Sequence, residues 1–464
     1  MSPYRPLSAV VLAAGEGTRM RSGTPKVLHP LCGRPMMLHV VDALAELPLA
    51  RIVVVVGYGA ERVTKTLQEQ LVTEVPLEFV EQRVQRGTGD AVSVALTVFD
   101  DLDAEDDLLV VPADAPLVRA ETIAKLATEH RVEDAAASIL TAVVTEPFGL
   151  GRVVRDKDGR VAHVVEHADA SADERDINEI NTSIYCFRRS LLAPALRRLS
   201  PENAQGEYYL TDAIGVLRDA GHKVIALQTE DPDEAVMVND RVQLAAAEVA
   251  LRERINRIWM RAGVTMVDPA ATYVDAAVEI EPDVRILPNT MLEGRTVVGT
   301  GSVLGPDVHL VDVMVGEGVR MSNSVARECE IGDDCEIGPF AYLRPGTRLA
   351  AGVKVGTYVE VKNSDIGAGT KVPHLSYVGD ADIGADANLG ASTITANYDG
   401  ANKHRTTIGD GVHTGVHTSL VAPVEIGEGG ETGAGSVVTH DVPPGRLVKG
   451  IPARDARAAR EDES

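Results

Sequence analysis

Aliphatic residues recur at every sixth position through much of the second half of the chain. Ile280, Ile286, Leu292, Val298, Leu304 and Leu310 form one run, Ile331, Ile337, Leu343, Leu349, Val355 and Val361 a second, and Ile408, Thr414, Leu420, Ile426, Thr432 and Val438 a third. Neither an α-helix nor a plain strand has that period. A small or β-branched residue often stands two positions earlier, as at Val284, Thr290, Thr296 and Ser302, and Gly or Asp often follows, as in Ile331-Gly332 and Ile366-Gly367. The pattern predicts a prism in which each hexapeptide forms one flat face, its aliphatic residue points inward, and Gly or Asp turns a corner at positive φ. Three faces make one coil. Aromatic residues are only 3% of a chain that is 44% hydrophobic, as a narrow interior stacked from aliphatic layers requires.

The repeat breaks between Thr395 and Ile408, where Ala396-Asn397-Tyr398-Asp399-Gly400-Ala401-Asn402-Lys403-His404 forms a loop that the prism does not need. Loops of that kind carry function more often than structure. Upstream lie Arg344, Lys362, His374, Tyr377 and Asn388. Arg344, Lys362 and Lys403 suit a sugar phosphate, with Tyr377 and Asn388 as hydrogen-bonding partners, and His374 has the near-neutral pKa that a base for an amine requires.

The first half alternates short apolar runs with helical patterns. Leu7–Leu12, Ile52–Val56, Leu77–Glu81 and Leu108–Val111 read as strands, and Met36–Leu47 and Gly89–Phe99 as helices. This predicts a doubly wound α/β domain with a parallel sheet and its ligand site at the carboxyl ends of the strands. Leu12-Ala13-Ala14-Gly15-Glu16-Gly17-Thr18-Arg19-Met20 follows the first strand and leads to Lys26. Its glycines let backbone amides approach a phosphate, while Thr18, Arg19 and Lys26 add a donor and positive charge. The loop is neither a dinucleotide fingerprint nor a Walker A motif. Gln82 and Gly87-Thr88-Gly89 mark a second such junction, with Gln82 suited to a base edge. Asp114, just past a strand, is either a helix cap or a ligand for Mg²⁺. Gly149-Leu150-Gly151-Arg152-Val153, Val165-Glu166-His167 and Glu179-Ile180-Asn181-Thr182 follow with polar groups at loop ends, as hydroxyl and amide readers for a sugar would.

The order of these motifs over 7–241, ending in Asn203-Ala204-Gln205-Gly206-Glu207-Tyr208 and Val238-Asn239-Asp240, resembles the uridylyltransferase half of the bacterial bifunctional enzymes that make UDP-N-acetylglucosamine. The resemblance implies that Leu12, Ala14, Gly15, Arg19, Lys26, Gln82, Gly87 and Thr88 bind UTP. It further implies that Gly151, Glu166, Asn181 and Asn239 hold the sugar phosphate or metal, with Asp114 and Asn239 as the Mg²⁺ pair. The second half is similar to the glucosamine-1-phosphate acetyltransferase half of the same enzymes, a left-handed parallel β-helix that forms homotrimers. On that likeness His374 is the base, Glu360 orients it, the Ala391 amide holds the oxyanion or cofactor, and Arg344, Lys362, Tyr377, Asn388, Asn397, Tyr398 and Lys403 complete the site. The substrates implied are glucosamine-1-phosphate and acetyl-CoA, then N-acetylglucosamine-1-phosphate and UTP. The chain departs from the family pattern with Pro112-Ala113 before Asp114, Ala168, Met237, and Gly415-Val416-His417-Thr418, where a hydroxyl is usual in place of Val416. The alternative is a sugar-phosphate nucleotidyltransferase whose β-helix only regulates or assembles.

The expected organisation is a nucleotidyltransferase domain over 1–240, a helical linker over 241–263 stapled by Trp259, a β-helix over 264–454, and a charged tail over 455–464. Leu251, Ile255 and Ile258 should share the linker's apolar face. A net charge of −24 argues against nucleic acid or an anionic membrane as the main partner. No apolar run reaches the roughly 18 residues of a membrane span and no signal peptide is evident. The four cysteines lack metal-ligand spacing, so reduced thiols in the cytoplasm are expected.

Overall fold

The computed structural model describes residues 5–99, 105–147 and 149–455. The chain forms two compact units that divide between Leu251 and Arg252. The expected tail beyond Asp455 lies outside the described residues.

In the first unit the sheet runs in the order Val224–Gln228, Ala137–Val143, Glu179–Arg188, Asp107–Pro112, Leu7–Ala13, Ile52–Val56, Leu77–Glu81. Its central strands are apolar on both sides because helices cover both faces. Met36–Ala45, Ala60–Gln70 and Ala120–Val132 pack on one face, and Thr88–Ala95, Arg189–Leu196 and Asp212–Asp219 on the other. The sheet is mixed rather than parallel throughout. Glu179–Arg188 runs antiparallel to both neighbours, since the chain leaves Ala137–Val143 through the hairpin Arg152–Arg155/Val161–Val165 instead of a crossover helix.

One helix, Arg241–Arg261, carries the chain from one unit into the next and stops before Gly263, whose φ is +104°. In the first unit its Glu248 accepts from the Cys32 amide at 2.9 Å. In the second, Ile255 and Trp259 pack against the β-helix core, and the buried Asn256 amide donates to Pro269 O and Thr272 O, each at 2.9 Å. Ile258 is 57% exposed, contrary to the expected stripe; the spacing of four through Leu251, Ile255 and Trp259 follows the buried face more closely than a step to position 258.

The second unit is a parallel β-helix. Thr272 pairs with Thr290, Glu279 with Val297 and Arg285 with Val303, each eighteen residues on, which is three hexapeptides per coil. The inward residues Ile286, Leu292, Val298, Leu304, Leu310, Leu343 and Val361 are fully buried. Thr290 and Thr296 are also inside, and their hydroxyls return to Leu287 O and Glu293 O at 2.8 and 2.7 Å, closing the corner before each face. The glycine after the aliphatic residue has a different purpose from the one expected. Gly332 and Gly367 do not adopt positive φ; a Cβ there would lie 2.8 Å from Leu349 O and 2.4 Å from Gly384 C on the next coil. The left-handed corner falls two residues later, at Asp334, Gly352, Gly369 and Asp386. Register across the loop is twenty-five residues, Ala381 to Thr406 and Ile394 to Ser419, so the loop leaves one coil and the stack continues. The four cysteines are buried and form no disulfide. No helix among the described residues is long and apolar enough to cross a membrane.

Candidate active sites

The first site forms where the strands Leu7–Ala13 and Asp107–Pro112 end. A cavity of about 280 Å³ is lined by Leu12, Ala14, Gly15 and Lys26 from one side and by Gln82, Gly87, Thr88 and Asp114 from the other. The phosphate loop turns through a short 3-10 segment, Thr18–Met20, with Gly17 at φ +66°. A Cβ on Gly17 would sit 2.6 Å from Lys26 Cβ, so glycine there lets the lysine stem pass. Among the described residues, the amides of Gly15, Glu16 and Gly17 have no hydrogen-bond acceptor within the protein, which leaves three consecutive donors for an anion. Asp114 is paired with Lys26 and is not a cap. Lys26 Nζ also donates to Asn239 Oδ1 at 3.2 Å, and Arg19 Nη2 reaches the same oxygen at 2.9 Å. The Val238 amide donates to Asp114 O at 2.9 Å, which holds Asn239 beside the aspartate. Gln82 is buried, and its amide nitrogen is committed to Gly87 O at 3.2 Å and Asp90 Oδ2 at 2.8 Å, leaving its carbonyl oxygen for a ligand.

A polar hollow lies beside this cavity. The Asn181 amide donates to Gly151 O at 2.9 Å, and a Cβ on Gly151 would stand 3.4 Å from Glu166 Oε2 and 3.6 Å from Asn181 Cβ. Glu166 accepts from Thr211 Oγ1 at 3.2 Å. Burial raises its carboxyl pKa, and the nearby Asp212, Asp169 and Glu207 raise it further despite the threonine. Burial, then the carboxylates of Asp169, Glu166 and Glu207, push the Tyr209 hydroxyl up to about 12.

In the second unit the predicted residues divide into two groups. Arg344 Nη1 donates to Glu360 at 2.7 Å, and Glu360 stands opposite Tyr377 in the ladder. Lys362 Nζ bridges both oxygens of Asp380 at 3.3 and 3.2 Å, and Asn363 and Asn397 donate to the same carboxylate. Glu360 is thus committed to Arg344, whereas the His374 side chain is exposed. Among the described residues it makes no hydrogen bond or ion pair. Asn388 stacks on the strand Lys371–His374 that carries this histidine, between Lys371 and His413. Ala391 is stacked next to His374, its coil bonded through Ser392 N to His374 O at 3.0 Å. In the loop, Asp399 accepts from the Ala401 and Asn402 amides at 2.8 and 2.7 Å and from His404 at 2.7 Å. These bonds, with that of Asn402 foremost, hold its carboxyl far below the usual range. Tyr398 donates to Gly400 O at 2.6 Å, and Lys403 is exposed.

Residues 9–214 match the MobA-like NTP transferase domain, and residues 328–363 match the bacterial transferase hexapeptide family. Over 453 residues the chain is 51% identical to the bifunctional protein GlmU of Thermobifida fusca, across 97% of this chain and 92% of the relative. It is 48% identical to the GlmU proteins of Brevibacillus brevis, over 95% and 94%, and of Streptomyces avermitilis, over 97% and 92%. The chain belongs to the bifunctional GlmU family. A GlmU protein joins a nucleotidyltransferase to a hexapeptide acetyltransferase in the synthesis of UDP-N-acetylglucosamine, and the likeness spans both units here. The reading in which the β-helix serves only regulation or assembly is therefore set aside.

Several residues at these candidate sites were not among those predicted. Gln85 donates to Ala14 O at 2.6 Å and lines the cavity with Ser183, Glu207 and Met237. Asp380 is the buried hub for Lys362 and Asn397. A lone Asp in a repeat rich in Asp gives no sequence signal, whereas Gln85, two residues before Gly87-Thr88, could have been marked by position. The residues at Asp114 fit a hard divalent cation. Oxygens of Asp114 and Asn239 converge on one point, taken here by the Lys26 ammonium. Among the described residues no group of three or more His, Cys, Asp or Glu is placed to hold a metal ion; the two oxygens here are a donor set that suits Mg²⁺ completed by phosphates and water.

Proposed function

We propose that the two units act in sequence on one sugar. In the second unit the amine of glucosamine-1-phosphate attacks the carbonyl carbon of acetyl-CoA, His374 takes the amine proton, and coenzyme A leaves. Arg344, Lys362 and Lys403 hold the sugar phosphate, with Tyr377, Asn388, Asn397 and Tyr398 around the sugar and cofactor. The Ala391 amide stabilises the developing oxyanion. Glu360 acts through Arg344 rather than through the histidine. In the first unit a phosphate oxygen of N-acetylglucosamine-1-phosphate attacks the α-phosphorus of UTP and pyrophosphate leaves.

Leu12, Ala14, Gly15, Gln82, Gly87 and Thr88 hold the nucleotide, and Gly151, Glu166 and Asn181 hold the sugar. Arg19 and Lys26 stabilise charge on the leaving pyrophosphate. Asp114 and Asn239 would hold Mg²⁺, which neutralises the phosphates when bound. The observation that carries this reading is the convergence of Lys26, Arg19, Asp114 and Asn239, four polar side chains from three distant segments, beside three unpaired loop amides.

The functional form is a homotrimer in the cytoplasm. In support, Phe340 and Tyr358 stack at 5.3 Å and, with Leu375, are each more than half exposed. They form an apolar ridge beside the uncovered His374, and a second copy would cover both. Thiol release from acetyl-CoA with glucosamine-1-phosphate, and pyrophosphate release from UTP with N-acetylglucosamine-1-phosphate, test the reading on the full chain. Either reaction failing in a folded, trimeric preparation would overturn that half of it.

A further inference from the structure

The strand Glu179–Arg188 loses register with Ala137–Val143 between Asn181 and Tyr185, and inside that break Ser183 has φ +59°. Left-handed backbone at a residue other than glycine persists where the surroundings demand it, often beside a functional site. Its product is visible. Asn181 and Tyr185 are four residues apart, about 13 Å along a regular strand, yet Asn181 Nδ2 donates to the Tyr185 hydroxyl at 2.7 Å. Asn181 Oδ1 accepts from the Ser183 amide at 3.1 Å. Because a backbone N–H can only donate, that bond fixes which end of the carboxamide is oxygen.

Both side chains are buried, Asn181 at 3% exposure and Tyr185 at 2%. Among the described residues, the second N–H of the Asn181 amide has no partner. Gly151 and Glu166 border it, and Ser183 itself lines the cavity that holds Asp114 and Lys26. The bulge therefore shortens the strand locally, four residues of it opposing two of its neighbour, so that one buried carboxamide is locked at two of its atoms and keeps a single donor in reserve.

We propose that Tyr185 is a positioning residue for the sugar phosphate, acting through Asn181. Its hydroxyl takes one N–H of the carboxamide, the Ser183 amide takes the oxygen, and the remaining N–H is held for an oxygen of the N-acetyl sugar. This rests on the reading of Asn181 as a sugar ligand. The aromatic ring is a packing element that phenylalanine would keep, since it lies 5.5 Å from the Phe187 ring; only the hydroxyl has the positioning task.

The test is a double-mutant cycle read by pyrophosphate release, with KM measured separately for each substrate. Tyr185→Phe is expected to raise KM for N-acetylglucosamine-1-phosphate about tenfold, as the loss of one hydrogen bond would, with kcat and the KM for UTP within about twofold. Asn181→Ala is expected to raise the same KM at least as far, and the double variant to be no worse than Asn181→Ala alone. A sugar KM unchanged in Tyr185→Phe, equal rises in both KM values, or effects that multiply in the double variant would each overturn the positioning role. An unchanged sugar KM in Asn181→Ala would instead overturn the reading of Asn181 beneath it.

Discussion

Asp380→Asn removes a charge and almost no volume from the centre of the second site. Asp380 is 4% exposed and accepts from Lys362 at 3.2 and 3.3 Å, from Asn363 at 2.7 Å, and from Asn397. The backbone, at φ +51°, tolerates asparagine as well as aspartate. The variant keeps one acceptor oxygen but turns an NH₂ group toward a donor. Hydrogen bonds to a charged group contribute about 1.5–3 kcal/mol each, and breaking a buried ion pair costs about 3–5 kcal/mol. The Lys362 side chain keeps 18% exposure, so water recovers part of that cost, and a loss of about 3 kcal/mol is expected.

For a unit of this size that is about 6–12 °C in the calorimetric transition of the β-helix. Burial alone would raise the Asp380 carboxyl, but the hydrogen bonds of Asn363, Asn397 and Lys362 together hold it below its ordinary 3.8. A depressed carboxylate adds stability that is present above the unfolded pKa and lost as pH falls through the folded one. The difference between wild type and variant should therefore be full at pH 7 and shrink in acid below about pH 4. Freed from the hub, Lys362 and Asn397 should also raise KM for glucosamine-1-phosphate about tenfold. A transition within 2 °C of wild type at pH 7, with that KM unchanged, would refute the hub.

Two further substitutions test the first unit. Gly17→Ala puts a methyl group 2.6 Å from Lys26 Cβ at φ +66°; a backbone cost of about 1–2 kcal/mol and displacement of Lys26 should raise KM for UTP more than tenfold in the pyrophosphate assay, with acetyl transfer unchanged. Glu166→Gln should raise the melting temperature of the first unit at neutral pH and leave it unchanged in acid. Burial, then Asp212, Asp169 and Glu207, raise its pKa above 4.5, so ionisation costs stability as pH rises through the folded value. The same variant should bind the sugar phosphate more weakly.

The β-helix was legible because its period is written in side chains that all face inward, from Ile280 to Leu310 and again from Ile331 to Val361. Between those runs the coils shorten, with Val313 pairing to Cys329 and Arg320 to Glu336 at sixteen residues, and there the hexad count fails while the fold continues. The corner glycines were misjudged for a related reason: crowding by the next coil, as at Gly332, and a demand for positive φ, as at Gly352, leave the same letter in the sequence. In the first unit the strands were clear from their apolar runs, but the direction of Glu179–Arg188 depends on a hairpin connection that periodicity does not encode. The loop, Asp114 and Asn239 could be marked from local chemistry. That Lys26 bridges the last two is a contact between segments far apart in the chain, and that Asp380 joins Lys362 to Asn397 is a contact between successive coils; neither leaves a local trace. The Asn181–Tyr185 contact was hidden too, because four residues of strand should keep those side chains apart.

The most direct test of two separate active sites is to assay Asp114→Ala and His374→Ala for both reactions in the same preparations. Asp114→Ala should abolish pyrophosphate release from UTP and leave thiol release from acetyl-CoA at the wild-type rate, and His374→Ala should do the reverse. Loss of both reactions in either folded variant, or retention of pyrophosphate release without Asp114, would contradict the account.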